Sequence, residues 1–104
     1  MIEPEKDNQN KSRVDLIDAE TLLEIWEVLR IWAEKYTEWS WKWVPVKDYI
    51  WACLRHIYKY QTWEELDNES WQPHIIHAIT NLIFINHNRK HNHENIEENN
   101  KKDI

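Results

Sequence analysis

The run Pro73-His74-Ile75-Ile76-His77-Ala78-Ile79-Thr80-Asn81-Leu82-Ile83-Phe84-Ile85-Asn86 sets the architecture of this 104-residue chain. Its apolar positions Ile75, Ile76, Ile79, Leu82, Ile83 and Ile85 cover more than one face of a helix. Pro73 suits a first helical turn, where its missing N–H costs nothing. The pattern predicts a helix over roughly Pro73–Asn86, expected to be the most buried in the molecule. A second stripe, His74, His77 and Asn81, projects from one side of the same helix.

Two more helices are read upstream. Leu22, Ile25, Leu29, Trp32, Ala33 and Tyr36 build one apolar face over roughly Asp18–Tyr36, with Asp18 as the N-cap. Tyr49, Ala52, Cys53, His56, Ile57 and Tyr60 share a face over roughly Val46–Tyr60, after Pro45. Glu64 to Trp71 reads as a polar connection, and Thr62-Trp63-Glu64-Glu65 has capping-box spacing. No segment alternates with period two over a useful length. The expected fold is all-α: three main helices in an antiparallel bundle, with frayed polar termini. The domain division is a flexible polar arm at 1–14, a helical domain at 15–86 and a polar tail at 87–104. His87, His91 and His93 in that tail resemble a weak metal-binding tract or a solvated helix end.

Bulk numbers narrow the function. The net charge is −6 and there is no basic stripe, which argues against a duplex nucleic-acid binder. A nucleotide site is not excluded, because a bound metal supplies positive charge locally. The lone Cys53 reads as a small buried hydrophobe and permits no disulfide within one chain. The start of the chain is acidic and polar, unlike a signal peptide, and no apolar run reaches the roughly 18 residues of a membrane span. A cytoplasmic, reducing setting is expected. The core is small, so self-association is expected too.

The residues that could carry chemistry lie mostly between the second and third helices. Glu64, Glu65, Asp67 and Glu69 precede His74 and His77, and the second helix contributes Arg55 and His56. Carboxylates and imidazoles beside an arginine are what a divalent-metal phosphate site requires. A polar network between helices with surface carboxylates would use the same residues. The first helix offers Glu20, Glu24, Glu27 and Glu34, of which Glu24 and Glu27 form an E-x-x-E pair or an acidic solvent face. Tyr36, Trp41, Tyr58 and Tyr60 could stack on a nucleobase or belong to the core.

These residues form a set. Asp15-Leu16-Ile17 with Glu20, Val28-Leu29 with Ala33, Lys35-Tyr36, Trp41, Tyr49 with Ala52, Arg55-His56, Glu64 with Asp67, Glu69-Ser70, His74 with His77, and Asn81 with Phe84 resemble the phage dATP/dGTP diphosphohydrolase (MazZ-type) N-terminal family, whose members are MazG-like. The resemblance implies metal-dependent hydrolysis of a purine deoxynucleoside triphosphate, dGTP or dATP, to the monophosphate and pyrophosphate in phage nucleotide metabolism. It implies Mg²⁺ or Mn²⁺ held by Glu64, Asp67, His74 and His77. His56, Glu64 and Asp67 are the catalytic candidates. Lys35, Tyr36, Trp41, Arg55 and Asn81 are the substrate-binding candidates. It also implies a homo-oligomer, a dimer or tetramer, in the cytoplasm of a bacterial host. MazG-like enzymes usually place carboxylates as E-x-x-E and E-x-x-D, whereas the third helix here carries H-x-x-H. A non-catalytic protein that sequesters a nucleotide or cyclic nucleotide would keep Arg55, Lys35 and the aromatics without needing the acidic cluster. A purely structural helical domain is the third class.

The chain has eight Trp and no Gly, where about 7 % Gly is ordinary. Trp32, Trp43, Trp63 and Trp71 stand where the resemblance places glycines, as does Thr37. Some bacteria and their phages read the UGA codon as glycine, and others read it as tryptophan. If Trp26, Trp32, Trp39, Trp43, Trp51, Trp63 and Trp71 were glycines, seven Gly and one Trp, Trp41, would remain. The alternative is a diverged relative with an aromatic-rich surface.

Overall fold

A computed structural model describes residues 10–91. Helix α1 spans Ala19–Lys35, α2 spans Val46–Gln61 and α3 spans His74–His91, with short 3-10 turns at Val14–Leu16 and Ser40–Trp43. Among the described residues there is no strand; Leu66 and Pro73 form an isolated antiparallel bridge. No helix among them is long and apolar enough to cross a membrane.

The helix starts follow from local chemistry. Asp18 caps α1, its Oδ2 accepting from the Thr21 N–H at 2.9 Å, which satisfies one of the amides a helix start leaves without a partner. Pro45 directly precedes α2. Pro73 directly precedes α3, and its carbonyl accepts from the N–H groups of Ile76 and His77. At the other end of α2, Thr62 is the C-cap and its hydroxyl bonds the Lys59 carbonyl. The capping-box spacing at Thr62 therefore closes a helix instead of opening one.

α3 is the central element. It packs against both α1 and α2, while α1 and α2 do not pack on each other. Ile25 and Val28 of α1 bury against Ile76, with Leu29 and Ile79 beside them; each such side chain contributes about 1.5–3 kcal/mol over leaving it exposed. Further along, Trp32 meets Phe84, so α1 and α3 run in the same sense. α2 runs opposite to them: Tyr49 meets Phe84, the Cys53 thiol donates to the Ala78 carbonyl, and His56 meets His74. Phe84 is 2 % exposed, clasped by Trp32, Trp41 and Tyr49. Phe84→Ala would empty that clasp, at a cost of about 3–5 kcal/mol.

One expectation for α3 needs correction. It does not end at Asn86 but continues through the His87–His91 stretch assigned to the tail. His87 packs edge-on against Trp41 and Asn88 is buried, and Arg89, Lys90 and His91 suit the negative end of the helix dipole. α3 carries the most buried residues of the three helices, as expected, but its buried side is not purely apolar. His74, Thr80 and Asn88 are buried, while Ile75, Leu82 and Ile83 are exposed, because only two helices cover it. Residues 1–9 of the arm and 92–104 of the tail, including His93, lie outside the described residues.

Candidate metal centre

The loop from Thr62 to Pro73 is held by its own backbone. The His74 N–H donates to the Glu65 carbonyl at 2.8 Å, and the Asp67 N–H to the Gln72 carbonyl at 2.9 Å. Asp67 organises the bend between them. Its Oδ2 accepts from the N–H groups of Glu69 (3.2 Å) and Ser70 (2.9 Å) and from the Ser70 hydroxyl (3.0 Å). Burial pushes the Asp67 carboxyl up, but these hydrogen bonds and the His77 charge outweigh it and hold the group below its ordinary value. All three bonds fall on Oδ2. Among the described residues none engages Oδ1.

Three imidazoles meet this loop. His74, the first residue of α3, is 2 % exposed. Its Nε2 lies 2.6 Å from Glu64 Oε2 and its Nδ1 lies 2.8 Å from Nδ1 of His56, near the end of α2. A carboxylate only accepts, so His74 donates from Nε2. Its Nδ1 then accepts, and His56 donates from its own Nδ1, keeping a lone pair on Nε2. His56 stacks flat on His77, with ring centroids 4.5 Å apart. Burial first, then the neighbouring His77 and His74, push His56 down to about 4, with Arg55 adding in the same sense. It is therefore neutral near pH 7 and can ligate a metal or accept a proton. Burial also lowers His77, with Asp67 opposing. The Ser70 hydroxyl gives its single proton to Asp67 and accepts from His77 Nε2 at 2.7 Å.

One ligand atom each from His56, Asp67 and His74 lie within 4.8 Å of one another. Two imidazoles and a carboxylate at that span suit a divalent transition cation. With Nε2 given to Glu64, His74 can ligate only through Nδ1, where a cation would take the place of the His56 N–H; Glu64 then stands behind it as the carboxylate that fixes a ligating imidazole.

The structure brings together His56, Glu64, Asp67, His74 and His77. Lys35, at the end of α1, reaches this loop through Glu69, Nζ to Oε1 at 2.8 Å. Arg55 is exposed beside His56. Asn81 is turned back on the helix, its Nδ2 donating to the His77 carbonyl at 2.8 Å. Tyr36 is exposed and packs on Trp32. Trp41 lies apart, stacked on Phe84, about 10 Å along α3 from His77. Glu24 and Glu27 are outside the cluster, and Glu27 is tied to Arg30. Sequence reasoning assigned no role to Ser70, the link between His77 and Asp67; its place three residues after an aspartate was the available signal.

Residues 3–99 match the family described as "dATP/dGTP diphosphohydrolase, N-terminal". A protein of Salmonella phage PMBT28 named dATP/dGTP diphosphohydrolase is 30% identical over 80 residues, covering 77% of this chain and 28% of that relative. The chain thus spans less than a third of the relative's length. No solved structure matches the chain. With a family match running nearly end to end, the chain belongs to the dATP/dGTP diphosphohydrolase N-terminal family.

Proposed function

We propose that this domain hydrolyses a purine deoxynucleoside triphosphate, dGTP or dATP, to the monophosphate and pyrophosphate, using a divalent cation held by His56, Asp67 and His74. The observation that carries the reading is the approach of those three ligand atoms to within 4.8 Å of one another, with Glu64 bonded to His74 from behind. Such a cation, when bound, draws charge from the phosphate oxygens and favours attack by water at the α-phosphorus. Two imidazoles favour Mn²⁺ over Mg²⁺, which prefers oxygen donors.

The chain's own residues supply the rest. Asp67 offers Oδ1 while Oδ2 stays anchored in the bend. His77, donating to Ser70, buttresses that anchor rather than ligating. His56, neutral near pH 7, has its one lone pair for the cation and acts as a ligand. Arg55 and Lys35 are the cations for the triphosphate, and a phosphate oxygen replaces Glu69 on Lys35. Tyr36, next to Lys35 at the end of α1, and Asn81, one turn after His77 on α3, serve the base. Trp41 contributes through its packing under Phe84. The exposed Ile75, Leu82 and Ile83 on α3 support self-association of two or four copies.

Incubation with dGTP and Mn²⁺ tests the activity. Pyrophosphate release that requires the cation is expected. Tight nucleotide binding with the ligand unchanged would favour the sequestering alternative, and neither outcome would leave a structural domain.

A further inference from the structure

Four described residues hold φ in the left-handed region: Asn10 at 68°, Trp39 at 68°, Trp63 at 72° and Trp71 at 60°. Asparagine tolerates that conformation because its short side chain bonds locally. Tryptophan has no such provision, since its Cβ crowds the following carbonyl oxygen. The chain has eight Trp and no Gly. The residue type that fits these positions is missing, and one of the least suited occupies three of them.

The local geometry is that of glycine sites. After α2 the Glu64 N–H bonds the Lys59 carbonyl at 3.2 Å and the Trp63 N–H bonds the Tyr60 carbonyl at 2.9 Å. That bond pair is the Schellman helix ending, and Trp63 stands at its left-handed position, where glycine is usual. The Trp71 N–H closes a turn onto the Asp67 carbonyl at 2.8 Å, and Trp39 leads into the Ser40–Trp43 turn. The indoles give little in return: Trp63 is 94% exposed, Trp71 69% and Trp39 61%. The Trp39 ring lies under the Lys42 ammonium and beside Trp41. Trp41 is the contrast, half-buried and stacked on Phe84 at 4.7 Å, with φ outside the left-handed region.

We propose that the protein made by its native translation system carries glycine at positions 39, 63 and 71, each encoded by UGA read there as glycine. A reassigned codon acts wherever it occurs, which extends the reading to the exposed Trp26, Trp43 and Trp51; Trp32 packs on Phe84 and Tyr36, so the geometry does not extend it there. Positions 63 and 71 flank the loop that carries Glu64, Asp67 and Ser70. Glycine at both keeps the loop's backbone course and removes two indoles from its ends.

Two measurements test this. Peptide mass spectrometry of the chain isolated from the cells that naturally make it should read glycine at 39, 63 and 71; a tryptophan mass at any of the three overturns the proposal. In recombinant chain, W63G should raise the folding equilibrium constant about fivefold or more, since the left-handed penalty disappears. W63A keeps a Cβ and should gain little. An equal gain from alanine would show that loss of the indole, not release of the backbone, is responsible, and would overturn the structural argument. If the all-Trp chain does not fold, the triple variants W39G/W63G/W71G and W39A/W63A/W71A give the same comparison by circular dichroism: folding of the glycine triple alone supports the proposal, and equal behaviour overturns it.

Discussion

The cluster between α2 and α3 and the outer face of α1 start from similar material. Each has carboxylates at helical or near-helical spacing, and each could be drawn as a metal site. On α1 the charges stay in line along one helix: Arg30 sits between Glu27 and Glu34 and bonds both, leaving solvated ion pairs. Beyond α2, two helices and a loop bring His56, Asp67 and His74 onto one point. Spacing along a helix sets which side chains share a face, but convergence needs a second element. That element is supplied by the antiparallel packing of α2 on α3.

The sharpest way to break this comparison is by charge removal on each side. Asp67→Asn keeps an acceptor for the bend and deletes the charge, so cation-dependent turnover should fall by about a hundredfold or more while helical circular dichroism is retained. The double change Glu24→Gln, Glu27→Gln should leave turnover within about twofold. Equal losses from both would put α1 in the site. Next in size is Glu64→Ala. It removes the partner of His74 Nε2, and Mn²⁺ affinity should weaken by about 10- to 100-fold, measured by calorimetry. An unchanged affinity would show that Glu64 does not orient the ligand.

Acid should separate the two regions as well. His56 is lowered in the folded state to about 4 from 6.5, so above 6.5 it is neutral whether the chain is folded or not. As pH falls below that value the unfolded chain takes up a proton the folded one refuses, and stability is lost down to about 4. His77 is shifted in the same direction. Urea midpoints measured across that range should fall with pH, and His56→Asn should flatten the slope. The smallest effect belongs to α1: Asp18→Ala should lower the folding equilibrium constant about fivefold through loss of the cap, with turnover per folded molecule unchanged.

Much of this could be read from the sequence for local reasons. The three helices announce themselves through apolar spacing and through Asp18, Pro45 and Pro73. His56, Glu64, Asp67, His74 and His77 stand out because two imidazoles one turn apart follow a carboxylate-rich loop. What sequence could not supply was which neighbours each helix finds. The solvent exposure of Ile75, Leu82 and Ile83 depends on α1 and α2 failing to meet over that side of α3. The last turn of α3 was hidden by its polar composition, although His87 and Asn88 pack inward. Trp41 has the aromatic character of a base-stacking residue, yet Phe84 takes its face.

Titration of Mn²⁺ into the chain, followed by the loss of the free-ion electron paramagnetic resonance signal, tests the convergence of His56, Asp67 and His74 most directly. The expected result is one ion per chain, lost in His56→Ala and in His74→Ala and retained in the Glu24→Gln, Glu27→Gln chain. Binding indifferent to both histidines, or abolished by the α1 change instead, would contradict it.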